Sequence, residues 1–223
     1  MKIYTMKNLI SYLLHQLIRK HRVRLFEPHP EYPEKGLDYV DQAHVQQEMQ
    51  FAIDCLPTIT DLLKLYPRDY EVSLLDYGPG YAAGSNLYAT LFRSSLLWCK
   101  VNVDAMEMKS FRKQLVDFDY PLVNYQVKDI ATLDPENKWD IIYCSNVIEH
   151  LEEPKSLLSH LVNRSKGFVV IYAPYDETEL MPGHLSTITE ELFRDFTPKS
   201  VEIRTSLGWE GRQILVVLPG KAK

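Results

Sequence analysis

The sequence predicts an α/β protein: a doubly wound, mainly parallel seven-stranded sheet with helices on both faces and a C-terminal antiparallel hairpin. Three observations predict it. From Val72 onward, short bounded apolar runs rich in β-branched and aromatic residues recur: VSLLD, LLWCKVNVD, LVNYQV, WDIIYCS and GFVVIYAP. Segments of helical character, SNLYATLF, EMKSFRKQL and EPKSLLSHLV, separate most of them, and strands alternating with helices build a parallel sheet. Finally, SVEIRTSL and RQILVVLP are parted only by Gly-Trp-Glu-Gly, a spacing that makes a hairpin and turns the last strand antiparallel to its neighbours.

Ahead of the sheet the texture is helical. Ile10, Leu13, Leu14, Leu17 and Ile18 fall at helical spacing, so the chain opens on an amphipathic helix. Phe26 to Gly36, FEPHPEYPEKG, holds three prolines and a glycine and reads as a loop. Asp41 to about Leu65 reads as helix, with Pro57 breaking it or starting a second one. The expected division is an N-terminal helical segment over residues 1–66 and a sheet domain over 67–223.

The totals bound the function. At 223 residues and 45% hydrophobic, the chain can bury one α/β core with additions. Cys55, Cys99 and Cys144 are far apart in apolar stretches, match no zinc pattern, and read as buried thiols of a reducing compartment. No run of about 18 apolar residues exists, and the broken apolar start lacks a cleavage site, so a cytoplasmic protein is expected. Net charge is −5, yet residues 1–26 carry six cations and no acid, so the remaining body is more acidic than that total shows. An acidic body is poorly suited to a long nucleic-acid footprint, and no nucleic-acid partner is expected.

The turns after the strands are where a sheet of this kind binds ligands. After the first strand comes LLDYGPGYAAGS, Leu74 to Ser85. Gly78 and Gly80 allow backbone angles or a close approach that a Cβ would forbid, at a turn that leads into a helix N-terminus with free N–H groups. On this reading each of the first three strands ends at an acid: Asp76, Asp104 and Asp129. Three carboxylates serve a phosphate poorly, but they suit a cation that also carries hydroxyls and an exocyclic amine.

Residues from Val72 to about Phe196 resemble the class I S-adenosylmethionine (SAM) dependent methyltransferases, small-molecule branch. LLDYGPGYAAGS is similar to that family's glycine-rich first motif, with Ala82 where a third glycine often stands. WDIIYCSNVIEHLEEP resembles the stretch at and after its fourth strand, and GHLSTITEELF the segment after its fifth. The resemblance implies SAM as cofactor and a role for each matching residue. Gly78 and Gly80 would lie against the methionine part and Asp76 would anchor the network around its ammonium. Asp104 would accept both ribose hydroxyls, since one carboxylate can hold two donors. Asp129 would take the adenine amine with Ile130 packed near the ring, and Asn146 would border the methionine moiety. GPGYAA also fits a dinucleotide fingerprint, but an acid two residues before its first glycine would face a pyrophosphate unfavourably.

Methyl transfer is an in-line displacement, so the protein aligns the acceptor and excludes water. A hydroxyl acceptor usually needs a base, and His150 and His184, after the fourth and fifth strands, are the candidates. Some methyltransferases resembling this one hold Mg²⁺ with a Glu-x-x-Glu-His run. Asn146 stands where the first carboxylate would be, so no metal is expected. No Asn/Asp-Pro-Pro-Tyr or Pro-Cys motif directs the activity to a nucleobase. The expected function is methyl transfer to a small-molecule or glycan acceptor, O- rather than N-directed, with Tyr32, Tyr39, Tyr143, Tyr172 and Tyr175 as candidate lining. The alternatives are a catalytically silent SAM-binding module and, behind it, an NAD(P)-dependent oxidoreductase. The basic N-terminal helix reads as a lid packed on the body or on a second subunit, which would make a homodimer. A peripheral membrane anchor through residues 1–26 is the less favoured reading.

Overall fold

The computed structural model describes residues 28–36, 39–93 and 98–222. Expectations for the basic helix, lid or anchor, lie outside the described residues. The chain forms two compact units, residues 1–41 and residues 42–223. In the first, Pro28 and Gly36 pair as an isolated antiparallel bridge, and the Tyr32 hydroxyl donates to Asp41 at 2.6 Å. Residues 28–36 of FEPHPEYPEKG thus form a closed loop, as its prolines demand. The units divide at 41/42 and not at 66/67, because the helix that follows Asp41 belongs to the sheet's core.

That helix, α1 (Gln42–Leu63), is continuous, with Pro57 inside it. Phe51, Ala52, Cys55, Ile59, Leu62 and Leu63 form its buried face. The sheet follows as β1 (Glu71–Tyr77), β2 (Lys100–Glu107), β3 (Asn124–Val127), β4 (Trp139–Ser145), β5 (Ser165–Pro174), β6 (Ser200–Ser206) and β7 (Trp209–Pro219). Between them lie α2 (Ala83–Leu91), α3 (Lys113–Asp119) and α4 (Pro154–Arg164), with short 3-10 turns at Ser110–Arg112, Ile130–Thr132, Ile148–His150 and Glu190–Phe196. Strand order is β3-β2-β1-β4-β5-β7-β6. The first five are parallel, and β7 runs antiparallel to both β5 and β6. This is the doubly wound sheet with a closing hairpin that the sequence predicts. The hairpin turns at Leu207–Gly208, two residues earlier than Gly-Trp-Glu-Gly would place it, since Trp209 already pairs with Ser206.

Alternation along the strands sorts the core into two layers. Leu74, Val103, Ile141 and Val170 face α1 and α2, with Tyr88 buried among them. Leu75, Met106, Ile142 and Ile171 face α4 and the Glu190–Phe196 turn, through Leu158, Leu161 and Phe193. All three cysteines are free and buried. Tyr143 and Tyr172 are buried in the first layer, so they pack the core and do not line an acceptor site. Among the described residues no helix is long and apolar enough to cross a membrane.

Candidate active site

β1 and β4 are neighbours, while the connections that follow them lead to opposite halves of the sheet. This reversal opens a crevice beyond the strands' carboxyl ends, where sheets of this kind take their ligands. The glycine turn sits at its lip. Gly78, Gly80 and Ala82 all hold left-handed backbone, with φ of 74°, 58° and 60°. A Cβ at Gly78 would come within 2.3 Å of Val147 Cγ2, and one at Gly80 within 2.1 Å of Glu48 Oε1. Both glycines are therefore required by conformation and by space. Asp76, one residue before the end of β1, is buried and accepts from Ser85 Oγ at 2.6 Å. Burial pushes its carboxyl up to about 7, against the pull of the Ser85 bond.

Glu48 of α1 has no counterpart in the sequence reading. It reaches across to the turn, where Tyr81 N–H donates to Oε1 at 2.7 Å and Ala83 N–H to Oε2 at 3.2 Å. Two of the N–H groups at the start of α2 are thereby satisfied, which matters because Ala82, ahead of that helix, provides no side-chain cap. Burial raises the Glu48 carboxyl to about 8 even so. Nothing in the local pattern marks this residue; it is found only by a contact spanning 33 positions.

The second strand does not end at Asp104. It runs to Glu107, and Asp104 lies within it, accepting from Asn124 Nδ2 at 2.7 Å and Trp139 Nε1 at 2.6 Å. Its carboxylate is committed to neighbouring elements three residues short of the carboxyl edge. Glu107 holds the strand-end position instead, largely buried, with Arg112 Nη1 3.5 Å from its Oε2. Its Oε1 accepts from Met108 N–H at 2.8 Å. The sequence reading set β2 too early because the apolar run LLWC precedes the strand proper, which starts at Lys100.

The remaining cofactor candidates stand at the edge. Asp129 follows β3, its Oδ1 accepting from Ala131 N–H at 2.9 Å, and Ile130 beside it is fully buried. Asn146, directly after β4, is left-handed with φ 51°. Its Nδ2 donates to Ser145 Oγ at 3.3 Å, and Gln213 Nε2 donates to its Oδ1 at 3.5 Å. His150 and His184 come together although 34 positions apart, their ring centroids 4.9 Å apart and edge-on. Each is anchored through Nδ1, His150 on the Gly183 carbonyl at 2.9 Å and His184 on Glu177 Oε2 at 2.7 Å. Trp209 stacks on His184 with centroids 5.5 Å apart. Alongside, Tyr175, Asp176, Glu177, Met181, Trp209 and Arg212 help line an open cleft of about 540 Å³.

Residues 75–171 match the protein family described as "Methyltransferase domain". No curated protein matches the chain significantly. Among solved structures, the magnesium protoporphyrin IX methyltransferase ChlM of Synechocystis PCC 6803, with bound S-adenosylhomocysteine, is 15% identical; the match covers 82% of this chain and 89% of that one at TM-score 0.56. The N-methyltransferase NodS of Bradyrhizobium japonicum WM9 is 14% identical over 76% of this chain and 96% of its own, at TM-score 0.58. The CurJ carbon methyltransferase is 17% identical over 78% and 54%, at TM-score 0.57. Their fold is this fold, the matched segment spans β1 to β5, and the glycine turn stands at the switch point. Residues 75–171 thus match a methyltransferase domain, and the chain has the fold of the methyltransferases named above.

Proposed function

We propose that the chain moves the SAM methyl group to a hydroxyl of a small-molecule or glycan acceptor, with His150 or His184 taking the proton. The observation that carries this reading is the imidazole pair at the carboxyl edge. A carbonyl and a carboxylate can only accept, so each Nδ1 carries a hydrogen, and each neutral ring keeps its lone pair on Nε2. In the reaction the acceptor O–H gives its proton to that nitrogen, O–CH₃ forms as S⁺–CH₃ breaks, and the electron pair stays on sulfur. The cofactor side of the reading seats the methionine moiety on Gly78 and Gly80, with Asp76 and Asn146 about it. Asp129 and Ile130 hold adenine. Glu107, in place of Asp104, takes the ribose hydroxyls.

A screen of metabolite and glycan pools for conversion of SAM to S-adenosylhomocysteine tests the activity. Loss of the proton acceptor should lower turnover by about 10²–10⁴ with SAM affinity nearly constant. A double His150→Ala/His184→Ala variant that keeps its rate would overturn the role of the pair. Thermal shift with SAM, S-adenosylhomocysteine and NADH separates the readings: NADH alone stabilising the fold would favour an oxidoreductase, and SAM binding without turnover on any pool a silent binding module.

A further inference from the structure

The open cleft beside the imidazole pair has walls of one electrostatic character. It runs between residues 175–181, which follow β5, and the closing hairpin, which contributes Thr205 and residues 209–212. Glu177 joins the first wall to the pair, through the bond it accepts from His184 Nδ1 at 2.7 Å. Trp209 joins the second, half-buried and stacked on the His184 ring. An acceptor that comes to the imidazoles from this side lies between the two walls.

Four carboxylates line the cleft, Asp176, Glu177, Glu179 and Glu210, against one cation, Arg212. That cation is already engaged. Its Nη2 stands 3.5 Å from Asp176 Oδ2, and its guanidinium lies over the Tyr175 ring, 4.9 Å from the centroid. Glu179 and Glu210, one on each wall, are exposed and have no hydrogen bond or ion pair among the described residues. An anionic molecule meets repulsion there, whereas a protonated amine between the walls meets opposite charge on both sides. The part of the Trp209 ring that His184 leaves uncovered adds an aromatic surface, which suits a cation or the apolar face of a ring. We propose that this cleft takes an acceptor carrying a protonated amine as well as the hydroxyl to be methylated, with Glu179 and Glu210 holding the ammonium.

This acceptor class rests on the O-methylation reading and gives it a reason. An ammonium nitrogen has no lone pair and cannot attack S⁺–CH₃. Carboxylates around it favour the charged form and so keep its proton in place. The hydroxyl is left as the nucleophile: it gives its proton to an imidazole Nε2, O–CH₃ forms as S⁺–CH₃ breaks, and the electron pair stays on sulfur. The charges that select the acceptor thus direct the methyl group away from its nitrogen. A neutral acceptor gains nothing from Glu179 and Glu210, and an anionic one is turned away.

The full chain, loaded with S-adenosylhomocysteine, is titrated by calorimetry with matched probes at low and at high salt. Tyramine, N-acetyltyramine and hydroxyphenylpropionate share a phenol and differ in charge; glucosamine, N-acetylglucosamine and glucuronate do the same on a sugar. In at least one frame the amine should bind about tenfold or more tightly than its neutral partner, with the anion weakest. Salt should shrink that preference. In a Glu179→Gln/Glu210→Gln variant it should fall to about twofold, since an exposed charge contributes about 2–5-fold. Both residues are exposed, so the variant keeps its fold, and Glu136→Gln, an exposed acid between β3 and β4, should leave the preference unchanged. No binding of either amine, equal affinity within both frames, tighter binding of an anion, or a preference untouched in the double variant would each overturn the proposal. Binding is read without turnover, so these outcomes do not depend on the reaction. In the pool screen, the expected product is an O-methylated amine retained by a cation exchanger. A methyl group found on nitrogen would overturn the O-methylation reading, and with it the protection of the amine, while the charge preference of the cleft stands or falls by the titrations alone.

Discussion

Asp104 and Glu107 differ by three positions in one strand, and that difference decides which carboxylate a cofactor can meet. Asp104 is spent on Asn124 and Trp139. Its replacement by Ala should cost about 1–3 kcal/mol of stability, seen as a lower Tm, with SAM affinity in the folded protein little changed. Glu107→Ala should do the reverse, weakening SAM by about 2–4 kcal/mol in calorimetry if it holds the ribose. The acids at β1 and β3 were legible because each stands beside its turn residues. Glu107 was not, because the apolar run before Lys100 imitates a strand start and shifts the apparent end. Asp76 makes a prediction of its own. Its carboxyl sits near 7, and a bound ammonium needs it ionised, so SAM affinity should fall about tenfold per pH unit below 7 and level off above it. Titration calorimetry from pH 5.5 to 8.5 checks this, and Asp76→Asn should flatten the profile.

At the scale of elements, the glycine turn and α2 show what sequence pattern can and cannot reveal. Gly78 and Gly80 announce left-handed backbone; Ala82, at φ 60°, conceals it. An alanine there carries a steric penalty that glycine lacks, so Ala82→Gly should raise stability by about 0.5–1 kcal/mol despite the freer unfolded chain, measurable in urea. The start of α2 depends instead on Glu48, a residue of another helix, and no local signal could announce that. Its carboxyl is raised from an ordinary 4.5 to about 8, so the folded state holds a proton the unfolded chain gives up. The stabilisation is fully present below pH 4.5 and is lost as pH rises through 8. Glu48→Gln, which never ionises though it keeps an acceptor for only one of the two N–H groups, should therefore gain relative to the parent protein progressively as pH rises from 5 to 9, the difference changing by an amount on the order of a few kcal/mol.

Across the whole molecule, the alternation of apolar runs with helical segments made the sheet and its closing hairpin readable, since each strand carries its own β-branched signature. The extent of the sheet domain was not readable in the same way. Local composition drew a boundary near residue 66, at the edge of the strand-rich region, because helical periodicity says nothing about which core a helix joins. The fold puts α1 on the face of the sheet with Phe51, Cys55, Ile59, Leu62 and Leu63 buried. At about 1.5–3 kcal/mol for each buried large side chain, that contribution is on the order of 10 kcal/mol, comparable with the entire stability of a typical domain. Glu48, which satisfies the N–H groups at the start of α2, would go with it. Two truncations separate the boundaries. A chain of residues 42–223 should unfold in a single cooperative transition by circular dichroism, because every strand and both core layers are retained. A chain of residues 67–223 should show no cooperative transition and should expose apolar surface to a dye such as ANS. A stable, cooperative 67–223 fragment would place α1 outside the core and return the boundary to residue 66.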